Sequence, residues 1–138
     1  MSYKGKSSVA AFAAIALVYG LYFAWAMGSG KNSTEVLVHM IGTVVALTII
    51  LTIIEIGIAV WELRLGRLAL ARDERDNLNS TRSARNAYYV LLALIVPTPI
   101  LVLTPIPPNV TANVLLAILV VAELVNYGSR AVYDLRGR

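Results

Sequence analysis

The sequence contains no cysteine, one histidine and few charged residues. Without cysteine the chain has no disulfides, no thiolate metal sites and no cysteine nucleophile. His39 alone cannot supply the three or four ligands that a zinc site requires. Charged residues make up 14% of the chain, well below the roughly 25% typical of a soluble domain. These shortages exclude the thiol enzymes and the metalloenzymes, and they argue against a soluble protein.

Hydrophobic residues make up 58% of the 138 residues, and the mean hydropathy is +0.71. They occur in runs comparable to the roughly 20 residues that cross a bilayer as a helix. Even runs rich in Val, Ile and Thr should be helical there, because an open strand leaves its backbone groups unpaired in lipid. We therefore predict one all-α membrane domain, a bundle of four transmembrane helices at about residues 9–27, 36–61, 87–103 and 110–127.

Two of these spans carry distinctive local features. In the first span, Ala16, Gly20, Ala24 and Gly28 recur every four residues, a small-residue stripe that lets another helix approach closely. That stripe could pack within one bundle or between copies, so a homo-oligomer remains open. In the third span, Pro97 and Pro99 predict a kink or an early end, since proline removes a backbone donor.

The longest polar segment, residues 62–86, connects the second and third spans. Of the twelve basic residues, all except Lys31 lie on the side of the membrane that holds this segment and both termini. The positive-inside rule therefore predicts cytoplasmic termini, and we expect a prokaryotic inner membrane. This topology accounts for the net charge of +4 without a nucleic-acid partner. The partners that we expect first are membrane lipids.

The two hairpins of the predicted bundle share a weak pattern. Glu55 precedes Trp-Glu-Leu-Arg at residues 61–64, and Glu123 precedes Tyr-Asp-Leu-Arg at residues 133–136. Both hairpins start and finish on the same side of the membrane. The pattern is consistent with duplication of a two-helix hairpin about an axis along the membrane normal, an arrangement that some transporters have.

Glu55 and Glu123 are the acidic residues that fall inside apolar spans. A charged carboxylate at the bilayer centre costs about 2.5–3.5 kcal/mol on insertion scales, so it should pair, protonate or face the bundle interior. The two residues are therefore candidates for a proton or cation site. In the structural alternative, Glu123 contacts Asn126 or Arg130 on its own helix, and Glu55 pairs with a basic or tyrosine side chain of a neighbour.

The polar segment also contains a candidate docking surface. Arg72 and Asp76 are spaced as an i, i+4 pair, which is usual for a solvated helix end. Asp73 can cap the third helix, with Ser80 or Thr81 as the alternative start. The functional alternative is a surface that binds a cytoplasmic partner or anionic lipid head groups. Its residues are Arg72, Asp73, Glu74, Arg75, Asp76, Arg82 and Arg85.

The sequence RDERD at residues 72–76, followed by RSARNAYY at 82–89, resembles the uncharacterised small four-helix membrane proteins of bacteria and archaea that carry an Asp-Glu-Arg-Asp motif before the third helix. The ending AELVNYGSRAVYDLRGR is similar to the fourth-helix ending of that group. The resemblance covers about half the chain, from Glu55 onward. It implies a fold and a membrane location, but no activity. In that group the helix after the motif is continuous. The sequence of this chain at residues 77–80 departs from that pattern.

No phosphate-binding loop, nucleophile elbow or catalytic triad is present in the sequence, and no cofactor motif is found. The leading functional hypothesis is a non-enzymatic accessory or regulatory membrane protein that docks a cytoplasmic or membrane protein through residues 62–86. The alternative is a small oligomeric transporter or channel in which Glu55 and Glu123 titrate.

Overall fold

The computed structural model describes residues 3–28, 32–64 and 74–136. These residues form four long helices and one short helix, and no strand occurs among them. Four helical segments are long and apolar enough to cross a membrane, which confirms the predicted all-α architecture. The elements are α1 (Tyr3–Ala26), α2 (Ser33–Arg64), α3 (Glu74–Ile95), α4 (Thr98–Leu103) and α5 (Pro108–Arg136).

α2 is the longest helix, and its polar side chains are accommodated by its own backbone. The helix begins after Asn32, whose carbonyl accepts a hydrogen bond from the Val36 N–H at 3.0 Å. Glu35 lies in the first turn, where the helix dipole favours a negative charge. Three threonine hydroxyls in the body of the helix each donate to the carbonyl four residues earlier, so the apolar helix carries these three without unpaired donors. These residues are Thr43, Thr48 and Thr52.

α3 starts inside the segment predicted as the connection between the second and third spans. It begins at Glu74 and continues without a break through residues 77–80, so the later start at Ser80 or Thr81 is not used. α2 ends at Arg64, and residues 65–73 lie outside the described part of the chain. α3 therefore extends well into the charged segment.

The predicted break in the third span is confirmed. α3 ends at Ile95, and the chain turns through Val96 and Pro97 before α4 begins at Thr98. Proline causes this break because it lacks a backbone N–H and clashes with the preceding turn. α5 then starts at Pro108, a favoured place for proline, because the first N–H groups of a helix have no partner within it.

The long helices pack side by side in the order α2–α1–α5–α3. α5 packs extensively against α1 and α3, α1 packs against α2, and α2 touches α5 only lightly. Within the described residues, α2 and α3 do not form an extensive interface, so the fourth side of the bundle is open. The buried core lies among α1, α2 and α5; it comprises Ile15, Tyr19, Tyr22, Leu47, Leu116 and Val120.

Polar contacts and close approaches join the helices at the end that holds both chain termini. Lys6 Nζ on α1 donates a hydrogen bond to Glu62 Oε1 on α2 at 2.6 Å. Asn86 Nδ2 on α3 donates to Tyr133 Oη on α5 at 2.8 Å. The Asp134 side chain occupies the space that a Cβ atom would need at position 5, which is glycine. These contacts hold all four long helices together at this end.

Candidate functional site

A groove of about 330 Å³ lies among α1, α2 and α5. Its walls are mostly aliphatic, and its polar atoms come from one carboxylate and two tyrosine hydroxyls. Glu123 contributes the carboxylate from α5, and Tyr19 and Tyr127 contribute the hydroxyls from α1 and α5. The remaining lining residues are Ile15, Val44, Leu47, Leu51, Leu116, Leu119 and Val120.

Glu55 lies on the same side of α2 as this groove. It follows Leu51 by four residues, which places the two side chains on one helix face. Tyr127 on α5 lines the groove together with Glu123. The two carboxylates, which lie on different helices and far apart in the sequence, are therefore on the sides of α2 and α5 that border the groove.

Both carboxylates lie inside the apolar part of the bundle, on the side of the chain termini. Glu55 precedes Trp61 by six residues, which corresponds to about 9 Å along the helix axis. Glu123 precedes Arg130 by seven residues, or about 10 Å. Tryptophan and arginine are typical of the membrane interface, so the two glutamates lie one to two helical turns deeper.

The open fourth side of the bundle gives access to this site. Glu123 shares its groove with residues of α2, so it points towards the interior side of α5 and not towards the outer surface. Both Glu55 and Glu123 nevertheless remain exposed, because α2 and α3 do not close over them within the described residues. The two carboxylates are therefore not enclosed by the helices on this side.

The site combines acidic and hydroxyl side chains with an aliphatic wall. Carboxylates can bind a proton or a cation, and tyrosine hydroxyls can donate hydrogen bonds to a carboxylate. Among the described residues, no group of three or more His, Cys, Asp or Glu side chains could hold a metal ion.

The candidate docking surface is described only in part. Arg72 and Asp73 lie outside the described residues, and so do the side chains of Glu74, Arg75 and Asp76, whose backbone begins α3. The last two members of the set, Arg82 and Arg85, are exposed on α3.

An adjoining face of α3 is packed. Asn79 and Ser83 are 8% and 1% exposed, and Asn86 bonds to α5. The first half of α3 therefore presents exposed arginines beside a buried polar face.

His39 stacks on Trp25 of α1, with ring centroids 4.0 Å apart and an interplanar angle of 22°. Its Nδ1 lies 3.0 Å from the carbonyl oxygen of Glu35. The pair forms part of a second groove between α1 and α2, of about 590 Å³ and largely apolar. His39 is therefore a contact between α1 and α2.

Sequence reasoning missed three polar contacts between helices, one of which is the hydrogen bond from Asn86 to Tyr133. Glu62 was assigned to the exposed connection, but it is 4% exposed and paired with Lys6. Tyr22 is buried and donates a hydrogen bond from its hydroxyl to Asn113 Oδ1 at 2.7 Å. Polar residues near helix ends indicate that such contacts can form. The sequence does not show which of these residues pair.

The small-residue stripe of α1 does not pack within the described part of the chain. Ala16, Gly20 and Ala24 are exposed, and a Cβ atom at position 20 would meet nothing within 4 Å. The sequence left two roles open for the stripe, packing within one bundle and packing between copies. Within the described residues the stripe does not pack inside the bundle.

Comparison of the chain with known protein families, with curated proteins and with solved structures found no match.

Proposed function

We propose that this protein is a small multi-pass membrane transporter that moves protons or small cations, with Glu55 and Glu123 as the groups that bind them. The observation that supports the proposal is the groove among α1, α2 and α5, which Glu123 lines together with Tyr19 and Tyr127, and which Glu55 adjoins one helical turn after the lining residue Leu51. An ionisable residue at that depth is energetically unfavourable, and such residues commonly mark ion pathways and proton relays.

The proposed orientation has both termini in the cytoplasm of a prokaryotic cell and the bundle in the inner membrane. Its support is the concentration of Arg and Lys on one side of the spans. In this orientation the glutamates lie in the cytoplasmic half of the membrane. A proton or cation would reach them over a short distance from the cytoplasm and a longer one from the outer side.

The test is flux through liposomes reconstituted with the full chain. A pH-sensitive dye inside the vesicles reports proton entry under an imposed potassium diffusion potential, and a cation-sensitive dye reports cation entry. We expect wild-type flux above that of empty liposomes. We also expect that the E55Q/E123Q double variant loses it, because glutamine keeps the size of the side chain and removes its titration.

The matched control is E35Q, which makes the same chemical change on α2 outside the groove. It should keep wild-type flux. The proposal is wrong if wild-type vesicles conduct no better than empty ones, or if the double variant conducts as well as the wild type at equal protein content.

A second candidate function is docking of a protein partner through residues 62–86. The observation that favours it is the two-sided character of α3, which packs Asn79 and Ser83 against the bundle and leaves Arg82 and Arg85 exposed. Exposed arginines beside a packed face can bind an acidic partner without disturbing the fold.

The docking function is tested by copurification from native membranes followed by mass spectrometry. The comparison is between wild type, the charge reversal of Asp73, Glu74 and Asp76, and the variant R82E/R85E. Loss of one specific partner in the reversed variants supports docking. Retention of every copurifying protein by both variants contradicts it.

A further inference from the structure

We propose that an anionic phospholipid binds at the end of the bundle that holds both chain termini, and that Arg82 and Arg85 of α3 hold its phosphate group. The inference rests on the membrane location within the proposed function, but it does not depend on ion transport. It assigns to a lipid the two arginines that the second candidate function assigns to a protein partner.

The two arginines lie in one exposed row along α3. The row consists of Leu78, Arg82, Arg85 and Tyr89, which follow one another at intervals of four, three and four residues. Residues with this spacing lie above one another on a helix surface. All four are exposed, so the row faces the surroundings of the bundle and not its interior.

These arginines have no acidic neighbour along their own helix. A side-chain partner on a helix lies three or four positions away, and those positions around both arginines hold no Asp or Glu. The sequence contains no acidic residue between Asn77 and Ala122. Asp134 of the neighbouring helix α5 lies against Gly5 of α1. The row of α3 is therefore positively charged, and its complement is an anion from outside the helix.

A third exposed arginine lies at the same level on α5. α3 and α5 pack extensively, and they run in opposite directions because the chain turns back between them after α4. The hydrogen bond from Asn86 to Tyr133 aligns the two helices. Arg136 follows Tyr133 by three residues, and Arg82 precedes its bonded neighbour by four. Both arginines therefore lie about 5 Å beyond this bond, towards the end of the bundle.

The depth of the arginines matches the head-group layer of a bilayer. Tyr88 and Tyr89 are 56% and 60% exposed, and the apolar part of α3 follows them directly. Exposed tyrosines at such a position are typical of the boundary between hydrocarbon and head groups. Arg85 lies about 6 Å before Tyr89 along the helix axis, and Arg82 about 4.5 Å farther out. Since the head-group layer is about 5–7 Å thick, both guanidinium groups can reach it on their flexible side chains.

An anionic phospholipid fits this row better than other anions do. A guanidinium group donates two parallel hydrogen bonds to phosphate oxygens, and two arginines one turn apart can hold one phosphate between them. The ring of Tyr89 offers an apolar surface to the acyl chains, and its hydroxyl a hydrogen bond to the polar part of the lipid. Free phosphate has no acyl chain for this ring. An acidic protein that approaches from the water meets Arg82 first and does not reach the tyrosine.

The test measures lipid binding to the full chain by native mass spectrometry from detergent micelles. Phosphatidylglycerol and phosphatidylcholine with the same acyl chains are titrated separately, and the lipid-bound fraction gives an apparent Kd for the first lipid. We expect wild type to bind phosphatidylglycerol more than tenfold more tightly than phosphatidylcholine. The variant R82Q/R85Q should lose most of this preference, since each basic residue near an anionic lipid contributes a factor of about five.

The matched control is Arg64→Gln, which removes one exposed arginine at the same end of the bundle. Arg64 lies on α2, which forms no extensive interface with α3 within the described residues. It is compared with Arg85→Gln, which makes the same chemical change in the row. We expect Arg85→Gln to weaken phosphatidylglycerol binding about fivefold and Arg64→Gln to weaken it less than twofold. Circular dichroism checks that each variant is folded.

Four results would overturn the inference. The first is equal affinity of wild type for the two lipids. The second is an equal loss in Arg85→Gln and Arg64→Gln, because the preference would then follow the total charge. The third is release of the lipid by an equal concentration of inorganic phosphate, because the row would then bind a soluble anion. The fourth is loss of a protein partner by R82E/R85E with unchanged lipid binding, which would support the second candidate function.

An alkaline carbonate wash of reconstituted vesicles separates this inference from the proposed function. A chain that the wash removes is not inserted in the bilayer, and the membrane location and this inference are then both wrong. An inserted chain without a preference for phosphatidylglycerol overturns this inference alone. A chain that prefers phosphatidylglycerol but carries no ion flux supports this inference and contradicts the transport function.

Discussion

Replacing Lys6 by methionine should destabilise the protein more than replacing its partner Glu62 by glutamine. The two side chains are joined at 2.6 Å, but their surroundings differ: the Lys6 side chain is 40% exposed and that of Glu62 is 6% exposed. Lys6→Met therefore leaves a charged carboxylate buried without its cation. Glu62→Gln leaves a lysine that can extend to water or lipid head groups.

The expected magnitudes follow from that asymmetry. Removing one partner of a fully buried ion pair costs about 3–5 kcal/mol. Because Lys6 is partly exposed and solvent screens the pair, we expect about 2 kcal/mol for Lys6→Met. Glu62→Gln keeps a neutral hydrogen-bond acceptor, and we expect about 0.5–1 kcal/mol. The double variant removes both charges, so it should be more stable than Lys6→Met alone.

The assay is unfolding in mixed micelles with increasing dodecyl sulfate, followed by tryptophan fluorescence and by helical circular dichroism. Trp61 is adjacent to Glu62 in the sequence and reports locally on the end of α2. The four free energies of unfolding, from wild type, both single variants and the double variant, form a double-mutant cycle. The coupling energy of the cycle measures the ion pair separately from other effects of each substitution.

Two results would refute this reasoning. Equal losses for the two single variants would mean that Glu62 is solvated and that its burial has no energetic consequence. A double variant whose loss equals the sum of the single losses would mean that the two groups do not interact. In either case the contact would not hold α1 and α2 together.

Three further predictions concern packing of the bundle, and thermal unfolding followed by circular dichroism measures each of them. Tyr22→Phe should lower the free energy of unfolding by about 1 kcal/mol, because it removes the partly buried hydrogen bond to Asn113. An unchanged melting temperature would show that this bond does not contribute to stability. Gly128→Val should destabilise by about 1–3 kcal/mol, since a Cβ atom there would lie 3.3 Å from the Phe12 ring before the larger side chain is added. Gly20→Val should change stability by less than about 0.5 kcal/mol, because nothing lies within 4 Å of a Cβ atom at that position; a large loss would place α1 in an interface.

Sequence reasoning predicted those parts of the fold that depend on local properties. The four membrane-spanning segments follow from hydropathy and from the need to pair backbone groups in lipid. The break between α3 and α4 follows from Pro97. The start of α3 was predicted less well, since Asn77 and Asn79 have low helix propensity but lie in a continuous helix. Packing of Asn79 against the bundle overrides that propensity.

The sequence alone determined the all-α architecture with four helices able to cross a membrane, and it marked Glu55 and Glu123 as the acidic residues within apolar stretches. Only the tertiary structure decided the order α2–α1–α5–α3, the burial of Glu62, and the groove that Glu123 shares with Tyr19 and Tyr127. The physical reason is that lipid and protein are equally good surroundings for an apolar side chain. Hydrophobicity therefore marks which residues enter the membrane, whereas shape and polar contacts decide which helix faces meet.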